Sequence, residues 1–315
     1  MTMRRIEKNN SLQIKLCIGI LVLFIGLFLT GTFFDKYAAE ALFSPDHTIV
    51  KLITTTGVYP FHAVQVLGWG VIFQRVLRSK KSGQVRGALC TFCVVAAVFL
   101  GYIGGRSLVS GNNLGSIFPS FVGNVPVILI FSAILIYPLF FVGYLTAERS
   151  SDNLLARRVL GLLMILLAAY IVMEALKNTF DRPRYRTAVL GYEGITFVPW
   201  YKPFSGAEEY AAEYGLKADE FRSFPSGHSI FSSLTMCIFP SLSWLFPKLR
   251  DKQPYLFAFG FVFTVTVMSS RMILGAHYLS DVSAGAIIGV LSAMASLAVQ
   301  HRIAKNCERS YKSHR

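Results

Sequence analysis

Charge is scarce in this chain, and acid is scarcer still. Only 15% of the 315 residues are charged, with 17 Asp and Glu against 31 Lys and Arg. Cysteine is also sparse. Cys17, Cys90, Cys93 and Cys237 lie in apolar runs, and Cys307 lies in a basic tail. That pattern gives no disulfide framework, and the CTFC spacing sits in an apolar run with no His or acid beside it, so these are ordinary buried residues. No Cys cluster, HExxH or carboxylate-rich loop suggests a metal site, and no cofactor is expected. Internal repeats and low-complexity segments are lacking as well.

What the chain has is apolar length. Hydrophobic residues make up 53% of it, with a mean hydropathy of +0.50, and they fall in blocks of the size that crosses a bilayer. Eight such segments are expected, near 16–34, 60–77, 87–105, 124–146, 158–176, 228–246, 254–269 and 282–300. The fold class is therefore all-α, a polytopic transmembrane helix bundle. The first segment follows a basic lead, MTMRRIEKNN. It is longer than a signal core and no small-x-small site follows it directly, so it reads as a retained anchor.

The net charge of +14 would suggest a nucleic-acid partner in a soluble protein. Its distribution argues for membrane lipids instead, and no nucleic acid is expected. With eight spans and a cytoplasmic N-terminus, 20 of the 31 basic residues fall on inside segments, as the positive-inside rule requires. They include Arg4, Arg5 and Lys8 at one end and Arg309, Lys312 and Arg315 at the other. Both termini are then cytoplasmic. Of the 11 outside basic residues, Lys177, Arg182, Arg184, Arg186, Arg222 and Arg271 flank two short regions on one side. Topology does not demand that clustering, and an anionic ligand would.

The outer connections have their own signals. Residues 35–59 contain SPDHTIVKLITTT, a short interfacial helix capped near Ser44 or Asp46. His47 and His62 read as interface residues. In the long loop 177–225, Pro199, Trp200 and Tyr201 form an aromatic anchor. SGAEEYAAEYG in the same loop reads as a short helix between Ser205 and Gly215, either a lid or a solvating stretch. The tail HRIAKNCERSYKSHR is a basic end expected to fray.

Three clusters carry the chemistry: KNTFDRPRYR at 177–186, SFPSGHS at 223–229 and SSRMILGAHYLSD at 269–281. Parity puts all three on the outer face. His277 and Asp281 stand four apart, a spacing that shares a helix face. A carboxylate bonded to one imidazole nitrogen leaves the other with a lone pair, as a nucleophile needs. Arg271 adds a planar, permanent cation. Ser226 is a plausible N-cap, Gly227 admits close approach, and free first-turn N–H groups favour an anion. His228 in that turn is a candidate general acid. Lys177, Arg182 and Arg184 complete an anion cradle, Pro183 favours a turn beyond Asp181, and Glu174 is placed to pair with Lys177. Cradle, nucleophile and acid together are what phosphoryl transfer needs.

These residues resemble the type 2 phosphatidic acid phosphatases, the membrane branch of a superfamily shared with vanadium haloperoxidases. The resemblance spans roughly residues 159–300. The family pattern is Lys, six residues, Arg-Pro; then Pro-Ser-Gly-His; then Ser-Arg, five residues, His, three residues, Asp. The second element stands complete as Pro225, Ser226, Gly227 and His228. The third stands complete as Ser270, Arg271, His277 and Asp281. The first has Lys177 and Arg184, but Tyr185 replaces the usual Pro. The resemblance implies that His277 forms a phosphohistidine, that Asp281 supports it and that His228 protonates the leaving oxygen. It implies that Lys177, Arg184, Ser226, Gly227 and Arg271 hold the phosphate, with no metal. Arg182 is added to that set from charge and proximity. The family core has six spans, so two early spans would be additions. The expected organisation is 1–158 as N-terminal spans of variable type, 159–300 as the phosphatase core and 301–315 as a cytoplasmic tail. The expected activity is hydrolysis of a lipid phosphate at the outer face of a cell membrane. A lipid phosphotransferase using the same site, an anion transporter and a silent membrane scaffold are the other readings. The sequence does not select the lipid or the oligomeric state.

Overall fold

The computed structural model describes the backbone of residues 3–313 and the side chains of residues 12–307. Arg4, Arg5, Lys8, Arg309, Lys312 and Arg315 lie outside the described side chains. Among the described residues there are helices and no strands. Six helical stretches are long and apolar enough to cross a membrane: Leu12–Leu42, Gly83–Leu108, Val125–Arg149, Leu155–Ala188, Pro247–Ile273 and Leu279–Cys307. The chain is a multi-pass helical membrane protein.

In order, the helices are α1 (Met3–Leu42), α2 (Thr48–Thr56), α3 (Tyr59–Leu77), α4 (Gly83–Leu108), α5 (Val125–Phe131), α6 (Pro138–Arg149) and α7 (Leu155–Phe180). They continue as α8 (Tyr185–Ala188), α9 (Ala207–Glu213), α10 (Gly227–Ser233), α11 (Thr235–Ser241), α12 (Gln253–Ile273) and α13 (Leu279–Ser313). A π turn at Ser132–Ile136 joins α5 to α6 just before Pro138, whose missing N–H cannot continue the regular ladder.

All eight expected spans are helical, but two are not among these six long apolar stretches. One is α3 and the other is the pair α10 and α11. Both are packed inside the bundle. Helix α3 lies against α4, α6 and α7 and buries the polar His62 and Gln74 beside Phe61, Val66 and Val71. Helices α10 and α11 are buried nearly throughout, rich in Ser, and irregular around Leu234 and Pro240. A helix walled by other helices needs small side chains more than apolar ones. Close approach shows this directly: a Cβ on Gly285 would lie 2.5 Å from the Ser226 carbonyl, and one on Gly260 2.9 Å from Met236 N.

The lipid-facing exterior belongs to α1, α4 and their like, where Val22, Phe33, Val95 and Phe99 are exposed. Buried apolar surface forms one core around α3 and α7 and another between α1, α12 and α13.

Several local expectations change. Helix α2 begins after His47 without a side-chain cap, because α1 runs on to Leu42 and shortens the connection. His62 is buried against Phe61 and Phe231, not at an interface. Trp200 faces inward: it stacks on Phe224 and donates to Thr32 Oγ1 at 3.0 Å, which ties the outer loop to α1. Tyr201 remains exposed. The tail continues α13 as helix to Ser313. Residues 207–213 form the short helix α9, preceded by Gly206 at φ +83° and followed by Gly215 at φ +62°. All five cysteines are free, with Cys17, Cys93 and Cys237 buried, Cys90 partly buried and Cys307 exposed.

Candidate active site

The three clusters meet at one end of the bundle, and backbone hydrogen bonds triangulate them. Ser223 N donates to Arg182 O at 3.0 Å, joining the first cluster to the second. Arg186 N donates to Gly275 O at 2.9 Å, joining the first to the third. Ser226 N donates to Asp281 O at 3.0 Å, joining the second to the third. Main-chain bonds place the loops whatever the side chains do.

The first cluster begins on the last turn of α7, which carries Lys177. The helix stops at Phe180 because Asp181 takes a left-handed conformation, φ +43°, and Pro183 follows. Glu174 pairs with Arg222 at 2.6 Å and not with Lys177. In the second cluster Ser226 caps α10, its Oγ accepting from Ser229 N at 3.4 Å. Gly227 lets α7 come close, since a Cβ there would lie 2.8 Å from Met173 Sδ and 3.6 Å from Lys177 Nζ.

The third cluster differs from the helical-face reading. Helix α13 starts at Leu279, so His277 sits in the preceding turn. Its Nδ1 lies 3.8 Å from Asp281 Oδ2, too far for a hydrogen bond. Nδ1 instead lies 2.7 Å from the Ser223 carbonyl. Asp281 is occupied elsewhere. It accepts from Tyr278 N at 2.8 Å, at the start of α13, from Ser223 Oγ at 2.5 Å and from Arg182 Nη1 at 2.5 Å. It supports His277 at one remove, by fixing the Ser223 peptide that holds the ring.

That geometry sets the tautomer. A carbonyl only accepts, so Nδ1 carries the proton and Nε2 keeps its lone pair. Nε2 lies 3.3 Å from Arg184 Nη1. Burial, then the positive charges of Arg184, Arg271 and Lys177, hold the imidazole's proton affinity well below its usual value. His277 is thus a neutral, desolvated base facing three cations.

Arg184 is held by Asp219 O, Ala276 O and the Asp219 carboxylate, at 2.8, 2.9 and 2.8 Å. Arg271 donates to Asn112 O at 3.1 Å and, at 3.4 Å each, to Thr54 Oγ1 and Asn112 Oδ1; its Nε has no partner. Asp219 is held well below the usual carboxylate range and Glu220 is lowered, the cations beside them outweighing the cost of burial.

Arg182 has a different place from the one expected. It is fully buried, and its donors go to Val198 O, Ser280 Oγ, Asp281 and Asp35. Its guanidinium also lies 4.0 Å from the centroid of Tyr278. Arg182 therefore braces the loops from behind and has no donor pointed at the cradle.

Several residues here carry no signal within the three clusters. Asp35 of α1 accepts from Ser280 N at 2.7 Å and from Arg182 Nη2 at 2.8 Å. Asn112 and Asn113 come from the turn after α4, and Thr54 from α2. An acid inside an apolar span is the one signal that could have marked Asp35. Tyr185, at the family's Pro position, opens the short helix α8. Its ring packs edge-on against Phe43 and Tyr278.

The three clusters thus gather two histidines and several buried cations at one end of a bundle of apolar helices. Residues 158–305, which contain all three clusters, match the model of the PAP2 superfamily. Comparisons with curated proteins and with solved structures gave no match.

Proposed function

We propose that the chain hydrolyses a lipid phosphate through a phosphohistidine on His277. One observation carries the reading: His277 donates Nδ1–H to the Ser223 carbonyl, which turns a lone pair on Nε2 toward Arg184 in a cationic pocket. Nε2 attacks phosphorus, the N–P bond forms and the P–O bond to the lipid breaks. His228 gives a proton to the departing oxygen. Water then attacks phosphorus while His228 takes its proton, and the N–P bond breaks to release phosphate. Lys177, Arg184 and Arg271 neutralise the transferring group, with Ser226 and Gly227 beside them.

The substrate class follows from the pocket's place at the end of an apolar bundle, where a headgroup can enter while its chains stay in lipid. Phosphatidic acid, phosphatidylglycerophosphate and undecaprenyl diphosphate all satisfy it. The charge distribution supports an outward-facing site with both termini inside.

The test is phosphate release from these lipids by detergent-purified protein in EDTA, beside His277→Ala. Release by the parent and loss of at least 1,000-fold in the variant, roughly the scale of a lost nucleophile, is expected. Equal release by both would remove His277 as nucleophile. Release that depends on an added acceptor alcohol would make the chain a phosphotransferase.

A further inference from the structure

Besides Thr54 and Asp35, the part of the chain outside the family match reaches the site through a tight turn, SGNNLGS at 110–116. Asn113 there is 1% exposed. Its Nδ2 donates to Ser107 O at 2.7 Å and to Ser110 Oγ at 3.2 Å, which fixes the sense of the amide. Its Oδ1 lies 2.8 Å from His228 Nε2. An amide oxygen only accepts, so His228 carries its proton on Nε2. Nδ1 has no protein partner among the described residues. Asn112 holds the turn in place: its carbonyl and Oδ1 accept from Arg271, its Oδ1 also accepts from Arg186, and its Nδ2 donates to Asp219.

We propose that Asn113 is a positioning residue for His228, and that it assigns Nδ1 as the atom exchanging a proton with the leaving oxygen and then with water. This rests on the phosphatase reading above. In the acid form both ring nitrogens are protonated. The Nε2–H stays on Asn113 Oδ1 while the Nδ1 proton passes to the leaving oxygen as the P–O bond breaks. Nδ1, now with a lone pair, takes the proton of the attacking water. The charged and titratable groups facing His228 are Arg271, His277, Lys177 and Arg184. The three cations among them oppose a positive ring, and the Asn113 oxygen is the neutral acceptor that favours it.

Two measurements test this on the full chain. In ¹⁵N-histidine spectra of the unmodified protein, the neutral His228 ring should carry its proton on Nε2; a proton on Nδ1 would overturn the proposal. The second compares Asn113→Ala and Asn113→Asp on an alkyl phosphate, a poor leaving group, and on p-nitrophenyl phosphate, a good one. A misplaced general acid costs roughly 10–100-fold on the alkyl ester and only about 3-fold on the aryl ester. The basic limb of the rate profile should move to lower pH in Asn113→Ala and to higher pH in Asn113→Asp. Inhibition by inorganic phosphate should stay unchanged. Equal losses on both esters with unmoved limbs, or parent-like rates in both variants, would overturn it. His277→Ala separates the failures. If that variant matches the parent, or the parent releases no phosphate, the phosphatase reading falls and this inference with it. If it is inactive while Asn113→Ala is parent-like, only the inference falls.

Discussion

Asp35→Asn is the sharpest test of how the bundle holds its polar end. The carboxylate is 2% exposed, and it accepts from Ser280 N, Ser280 Oγ and Arg182 Nη2. An amide can keep the bond from Ser280 N, but its NH₂ would then face the NH₂ of Arg182. Breaking one partner of a buried ion pair costs about 3–5 kcal/mol. Asp281 still pairs with Arg182 at 2.5 Å, which favours the lower end. At roughly 2–4 °C per kcal/mol, the thermal midpoint in detergent should fall by roughly 10 °C. The exposed Asp46→Asn serves as the control. Activity should fall too, because Arg182 and Ser280 lead directly to Asp281 and the Ser223 peptide. In an Arg182→Met background the cost of Asp35→Asn should shrink, since its unpaired partner is gone. A midpoint shift below about 2 °C, or an undiminished cost in that background, would refute the reasoning.

Two further outcomes are expected. Gly31→Ala would put a Cβ 2.5 Å from Ser280 N and 2.9 Å from Asp35 Oδ1, so it should force α1 from α13 and lower both stability and activity. Gly26→Ala, with nothing within 4 Å, should be neutral or up to about 1 kcal/mol stabilising; thermal midpoints of the pair check this. In the pH profile of kcat/KM, His277 acts as the neutral base and its proton affinity is lowered in the fold. Activity should therefore persist as pH falls through about 6.5, the ordinary histidine value, and its acid limb should lie below it. Stability runs the opposite way. The unfolded chain takes up a proton at His277 that the folded chain refuses, so stability declines as pH drops below that value. An acid limb at or above it would contradict the burial of His277.

Much of the bundle was legible because apolar length is a strong signal. All eight expected segments are helices, but α3 carries His62 and Gln74 inside the bundle and the sixth segment is divided into the short helices α10 and α11, so neither is a long apolar stretch. The three clusters were legible because each packs its residues within a dozen positions. What was not legible is contact between distant parts of the chain. Spacing put Asp281 on the ring of His277, yet it is spent on the start of α13 and on Arg182, and a main-chain carbonyl takes its place. Charge put Arg182 in the cradle, but charge does not report direction, and its partners at positions 35 and 198 lie far away in sequence. Asn113 sits in an unremarkable polar turn that gains meaning only when α4 delivers it beside His228.

The bracing of α13 by Asp35 bears on how such chains can be recombined. The matched segment, residues 158–305, is not a transferable cassette. A chimera that joins it to foreign leading helices would leave Arg182 and Ser280 without Asp35 and His228 without Asn113. Grafts that carry 28–35 and 109–116 along with it should retain a working end, whereas those cut at the family boundary should fail even when every motif residue is present.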